Sequence, residues 1–150
     1  MANANQHAVK VLNQLIETTL DSADGYQQAA GQAASPRFRV LFEERAQRRQ
    51  QLCNQLKAEV RTFGGEPEQD GTILGKSQRA FRDLKERIAG QSDKAVIDQI
   101  ERGEDIILDR FERAAEDAEL PNDARELVQR ATSAVRADHD EISMLKHQLH

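Results

Sequence analysis

Apolar residues recur at intervals of three and four through four long segments of this chain, and no segment shows the alternation that a half-buried strand requires. That regularity restricts the chain to helices packed on one another. The first segment places Val11, Leu12, Leu15, Ile16, Thr19, Ala23, Tyr26 and Ala30 on one face and predicts a helix over about 5–33. The second, over 36–63, presents Phe38, Leu41, Phe42, Arg45, Arg49, Leu52, Cys53, Leu56, Val60 and Phe63. The third, over 93–119, steps through Ile97, Ile100, Glu104, Ile107, Phe111, Ala114 and Ala118 without a slip. The fourth, over 123–146, carries Leu127, Val128, Ala131, Val135, Asp138, His139, Ile142 and Leu145.

Breaks in the pattern supply the boundaries. Ser35 is a natural N-cap and Pro36 a natural first helical residue, so the first two helices join in a short turn. Gly64-Gly65 stops the second helix, and ELPND turns the chain between the last two. From Gly64 to Gln91 the connection is long. Its first part, GGEPEQDGTILG, reads as loop. Its second, SQRAFRDLKERIA, predicts a short amphipathic helix over about 77–89 that uses Phe81, Leu84 and Ile88. A dozen extended residues reach about 40 Å, which is the length of one of these helices. The connection can therefore carry the chain from one end of a bundle to the other. The expected fold is all-α: one domain over 1–150, a four-helix bundle with a long crossover between helices two and three that contains the short extra helix. The alternative is an all-antiparallel bundle with the short helix lying across one end.

Composition narrows the function classes. With 150 residues there is enough chain for a real core, but aromatics are 4% and Trp is absent, so Leu, Ile, Val and Ala must build it. A formal net charge of -5 argues against a nucleic-acid surface. The basic cluster Arg45, Arg48 and Arg49 has Glu43 and Glu44 beside it and reads as an ion-paired helix face. No run approaches the ~18 apolar residues of a membrane span, and MANANQHAVK has no secretory core. One cysteine, Cys53, allows no internal disulfide and suits a small buried hydrophobe. The expected location is the cytoplasm. Neither a phosphate-cradling Gly-rich loop nor a serine-nucleophile motif is present.

The informative irregularity lies on the buried faces themselves. Glu104 sits between Ile100 and Ile107, with Gly103 beside it. At the same depth the first helix offers Thr19, the second Arg45 and Arg49, and the fourth Asp138 and His139. Four interruptions at one level imply a buried polar layer made of Thr19, Arg45, Arg49, Glu104, Asp138 and His139. Gly103 would then allow a neighbour to approach closely, at about 1 kcal/mol of helix propensity; Gly25 beside Tyr26 raises the same expectation. Tyr26 itself reads as core with its hydroxyl satisfied, or as an electron relay if a redox metal lies near. Oxygen and nitrogen ligands for a metal could come from Glu44, Glu104 and His139. The pair His147 and His150 offers a further two imidazoles on one terminal helix face.

LNQLIETTLDSADGYQQAA resembles the first helix of bacterioferritin-type proteins. Together with FEERAQRRQQL, GGEPEQDG, ERGED and ADHDEISML it resembles a family of small bacterial ferritin-like four-helix bundles of uncharacterised function. The resemblance implies the ferritin and rubrerythrin fold with its crossover. Carried onto this sequence, the first-helix Glu ligand of that pattern falls on Thr19 and the third-helix one on Glu104. The fourth-helix Glu-x-x-His falls on Arg136 and His139, and the nearest second-helix match is Glu44 with Gln47. Two readings follow from different classes. One is a non-enzymatic module, homodimeric or partner-binding, stress-related as the resemblance implies, with no cofactor and an ion-paired layer in place of a di-iron site. The other is an iron- or manganese-binding ferritin-like protein with a reduced ligand set.

Overall fold

The computed structural model describes residues 2–68 and 88–149, and these form four helices with no strand among them. We name them α1 (Ala2–Gln32), α2 (Pro36–Thr62), α3 (Asp93–Ala115) and α4 (Asn122–Leu149). The expected short helix over 77–89 falls, apart from its last residues, outside the described residues. Ile88 is buried against the core. No helix among the described residues is long and apolar enough to cross a membrane.

Local chemistry explains most of the boundaries. Ser35 has extended backbone (φ -83°, ψ 130°) and Pro36 opens α2, as the sequence predicts, although the Ser35 side chain makes no capping bond. Instead the Asp93 carboxylate accepts from the backbone N–H groups of Ala34 (2.9 Å) and Ser35 (3.0 Å), tying the α1–α2 turn to the start of α3. Ser92 does cap α3, accepting from the Ala95 N–H. Gly64 closes α2 with a φ of 81°, a conformation open to glycine at little cost.

The third helix ends four residues earlier than its periodicity predicts, at Ala115 rather than residue 119. Asp117 takes the Glu119 N–H on its carboxylate, and Arg125 reaches back to the carbonyls of Asp117, Ala118 and Leu120. The turn so formed buries Leu120 and leaves Ala118, expected on the inner face, exposed.

Packing follows the sequence spacing closely. The α1–α2 turn sits on Asp93 at the start of α3, Tyr26 lies beside Glu104, and His7 meets Asp117 just past the end of α3. So α1 and α3 run antiparallel. Contacts from α2 to α4 run Arg48–Asp138 and Arg45–Glu141, again in opposite directions.

Two apolar clusters fill the interior. One gathers Leu12, Ile16, Leu56, Val60, Ile107, Phe111 and Val128, and the other Tyr26, Phe38, Phe42, Ile97, Ile100 and Ile142. Truncating a residue such as Phe111 to Ala costs about 3–5 kcal/mol by cavity formation. Between the clusters lie Arg49, Glu104 and Asp138. The polar level is thus a seam dividing one core into two.

Candidate functional site: a buried charged layer

Arg45 and Arg49 are each 1% exposed, and so is Glu104. An isolated ion in such a place costs several kcal/mol of lost hydration, so each charge needs partners of good geometry. The network supplies them. Arg49 donates to both Glu104 oxygens, Nη1 to Oε1 and Nη2 to Oε2, each at 2.9 Å. This is the paired fork that guanidinium and carboxylate form best. The same Nη2 lies 3.3 Å from Asp138 Oδ2, and Nη1 reaches Ser22 Oγ at 2.7 Å. Arg45 donates to Glu141 (2.9 Å) and to the Asp138 carbonyl (3.3 Å), while Arg48 donates to Asp138 Oδ1 at 2.9 Å. Three guanidiniums thus face three carboxylates from α3 and α4.

Tyr26 completes the layer from α1. Its hydroxyl donates to Glu104 Oε1 at 2.6 Å, and the guanidinium carbons of Arg45 and Arg49 lie 5.7 and 5.6 Å from its ring centre. That range permits cation–π attraction in a dry site. Burial, reinforced by the negative charge of Glu104, holds the phenol well above its ordinary value. Arg49 is held above its own ordinary value because Glu104 outweighs the opposing effect of burial. The layer sets three guanidiniums against three carboxylates.

Not every expected member joins it. Thr19 is buried, but its hydroxyl donates to the Leu15 carbonyl at 2.6 Å and is spent within its own helix. His139 points along the outer α3–α4 seam, with Nε2 at 2.6 Å from Asp105 and Nδ1 at 3.2 Å from Asp140. Glu44 is exposed on α2 and lines a surface recess with Val40 and Met144 rather than joining Glu104. The basic cluster does not pair with Glu43 or Glu44; its partners are Glu104, Asp138 and Glu141 on the opposing hairpin. Arg136 pairs with Glu112 on the surface. His147 is exposed, and His150 lies outside the described side chains.

Gly103 also departs from expectation. Among the described residues a Cβ placed there would meet nothing within 4 Å, so none of them presses against it. Together with Gly25 it lines a cavity of about 410 Å³ between α1 and α3, beside Ile100, Ile107 and Glu104.

The residues that spacing alone missed are Ser22 and Glu141, whereas Arg48 stands in the basic cluster that the sequence reads as ion-paired. Glu141 had a signal, since it follows Asp138 by three residues and shares its helix face. Ser22 had none, being an ordinary polar residue at the edge of an apolar stripe.

A second group stands at the far end of the bundle. His7, Asp117 and Glu119 bring one ligand atom each within 4.8 Å of one another, with His7 Nε2 at 2.7 Å from Asp117. Burial raises the Asp117 carboxyl, but its hydrogen bond with His7 and the Glu119 N–H outweigh that and hold it low.

A family model described as a domain of unknown function, DUF2383, matches residues 7–117, which span α1, α2, the connection and α3. No curated protein matches the chain.

Proposed function

The chain belongs to the DUF2383 family, and from that premise we propose that it is a ferritin-like helical bundle with a structural or interaction role, non-enzymatic, in which arginine replaces metal at the centre. One observation carries the reading. Arg49 Nη2 lies between Glu104 Oε2 and Asp138 Oδ2, at 2.9 and 3.3 Å, where a cation bridging two carboxylates would sit. A divalent ion binds carboxylate oxygens at about 2.0–2.6 Å and could not share that space with a guanidinium. The donor set points the same way: Thr19 is committed to its own backbone, and His139 turns outward.

The ferritin-like part of the proposal rests on direction. Since α1 opposes α2 in a hairpin and also opposes α3, helices α2 and α3 point the same way. That arrangement supports a connection running the length of the bundle, the crossover topology. The stress-related role rests on the sequence resemblance, and the interaction role on the absence of any reactive pairing in the layer described.

Metal loading tests the reading. The purified protein, incubated anaerobically with Fe(II), Mn(II) or Zn(II) and then desalted, is expected to hold less than stoichiometric metal. Stoichiometric metal lost in Glu104→Ala and in His139→Ala would overturn it. The second reading, iron or manganese binding with few ligands, is favoured by the His7, Asp117 and Glu119 group. Metal that survives Glu104→Ala but is lost in Asp117→Asn would establish it.

A further inference from the structure

At the end of the bundle where α1 begins and α3 stops, two side chains 110 residues apart in sequence meet, with His7 Nε2 at 2.7 Å from Asp117 Oδ2. Glu119 Oε2 stands 3.9 Å from the same nitrogen. Among the described residues this is the one place where histidine, cysteine or acid side chains bring three ligand atoms within 4.8 Å of one another.

The turn after α3 is fixed by bonds that leave these atoms available. Asp117 accepts the Glu119 N–H on Oδ1 at 2.9 Å, and its Oδ2 faces α1. Arg125 Nη2 holds the carbonyls of Asp117, Ala118 and Leu120. Leu120 and Ala8, the neighbour of His7, are buried in one apolar cluster, so both elements that carry the group are anchored.

The charge around the group suits a cation. Asp117 lies two residues beyond α3, where the last helical carbonyls place the negative end of the helix dipole. Of the charged groups that share a recess with Asp117, Arg113 is held by Asp109 at 3.1 Å, and Glu17 offsets Arg110. Arg125 acts on Asp117 as well, but its Nη2 is committed to the three carbonyls.

A tetrahedral ion with bonds of about 2.0–2.1 Å sets its ligand atoms about 3.3 Å apart. The distances of 2.7 and 3.9 Å straddle that value, and Glu119, 81% exposed, has room to swing inward. One imidazole and two carboxylates suit Zn(II) and its first-row neighbours rather than Ca(II) or Mg(II), which favour oxygen alone. Three protein ligands leave a fourth position for water.

We propose that His7 Nε2, Asp117 Oδ2 and Glu119 Oε2 form a reversible site for a divalent transition ion of the zinc class, which clamps the start of α1 to the turn between α3 and α4. The inference rests on the metal-binding reading of this group and adds to it the class of ion and its task. Glu104 takes no part, so the arginine-for-metal reading of the centre is separate. Three ligands, one of them exposed, release the ion on desalting, so binding is read at equilibrium.

Calorimetric titration of the full, metal-stripped chain with Zn(II), and with Ca(II) and Mg(II) as contrasts, tests it. One Zn(II) per chain is expected, with no uptake of the other two. His7→Ala, Asp117→Asn and Glu119→Gln should each weaken binding by about tenfold or more, while His139→Asn and His147→Ala should not. Glu119→Gln changes an exposed side chain, so circular dichroism should show unchanged folding. Zn(II) should also slow amide exchange in the first turns of α1 and around Asp117. No uptake at about 100 μM ion overturns both the site and the metal reading it rests on. Uptake that survives His7→Ala and Glu119→Gln overturns the site. Uptake that leaves amide exchange in α1 unchanged overturns the clamp, while the metal reading stands.

Discussion

The Tyr26 hydroxyl donates to Glu104 Oε1 at 2.6 Å, joining α1 to α3 across 78 residues of sequence with both side chains buried. Glu104 thereby satisfies a donor from each of two neighbouring helices, because Arg49 of α2 holds both its oxygens. Losing the hydroxyl removes one charge-assisted bond while leaving the ion pair. Tyr26→Phe is expected to lower stability by about 1.5–3 kcal/mol in urea unfolding. A change below a few tenths would mean that the phenol contributes only its ring.

Glu104→Gln asks more of the structure. It takes the two-oxygen partner from a buried guanidinium that cannot be deprotonated, leaving it the longer contact with Asp138. The expected cost is roughly 3–5 kcal/mol, or a fall in melting temperature of about 10 °C for a chain of this size, with no metal present. An unchanged melting temperature would remove the ion-pair account. Replacing both members, Glu104→Leu with Arg49→Met, should cost clearly less than the two single changes added together, since neither partner is then left charged and alone.

Gly103 offers a stabilising change. It lies inside α3, where glycine costs about 1 kcal/mol relative to alanine, and its missing Cβ would meet no atom of the described residues within 4 Å. Gly103→Ala should therefore raise stability by up to about 1 kcal/mol. Gly65→Ala should do the reverse, because its Cβ would fall 2.6 Å from both methyl groups of Val9. Thermal melts of the two variants side by side decide it.

His139 makes stability depend on pH. Burial pulls its imidazole down, but the hydrogen bonds to Asp105 and Asp140 outweigh that and hold it above its ordinary value. A group raised in the folded state stabilises fully below its unfolded value, near 6.5, and loses that contribution as pH climbs through the folded value. Wild type should therefore exceed His139→Asn in stability by most at about pH 5.5, with the gap closing towards pH 8. A gap that stays constant across this range would show that the imidazole acts by packing alone.

The α3–α4 seam shows why His139 was misplaced by sequence reasoning. Glu112 with Arg136, Asp105 with His139, and Glu101 with Ser143 and Lys146 form a ladder along the outer edge of the two helices. Asp105 and His139 each sit one position from a member of the buried layer, Glu104 and Asp138. One residue is about 100° of helix rotation, so a neighbour in sequence can belong to a different face. Periodicity resolves a face to about that angle and no better. Asp138 and His139 were equally eligible until the packing of α4 against α2 turned the first one inward.

What the amino-acid sequence determined by itself is the part that depends on spacing. Four amphipathic stripes, their stops at Ser35-Pro36 and Gly64-Gly65, and a common level at which the stripes of α2, α3 and α4 become polar can be read from intervals of three and four. Arg45, Arg49, Glu104 and Asp138 are found together there because residues at equal depth on packed helices must meet. Tertiary structure decided the rest: that Thr19 bonds its own backbone, that Tyr26 supplies the donor from α1, and that Arg48 and Glu141 extend the network. Those outcomes turn on side-chain reach and on the distance between helix axes. Neither quantity exists until four helices pack, whereas hydrophobic period is a property of each helix alone.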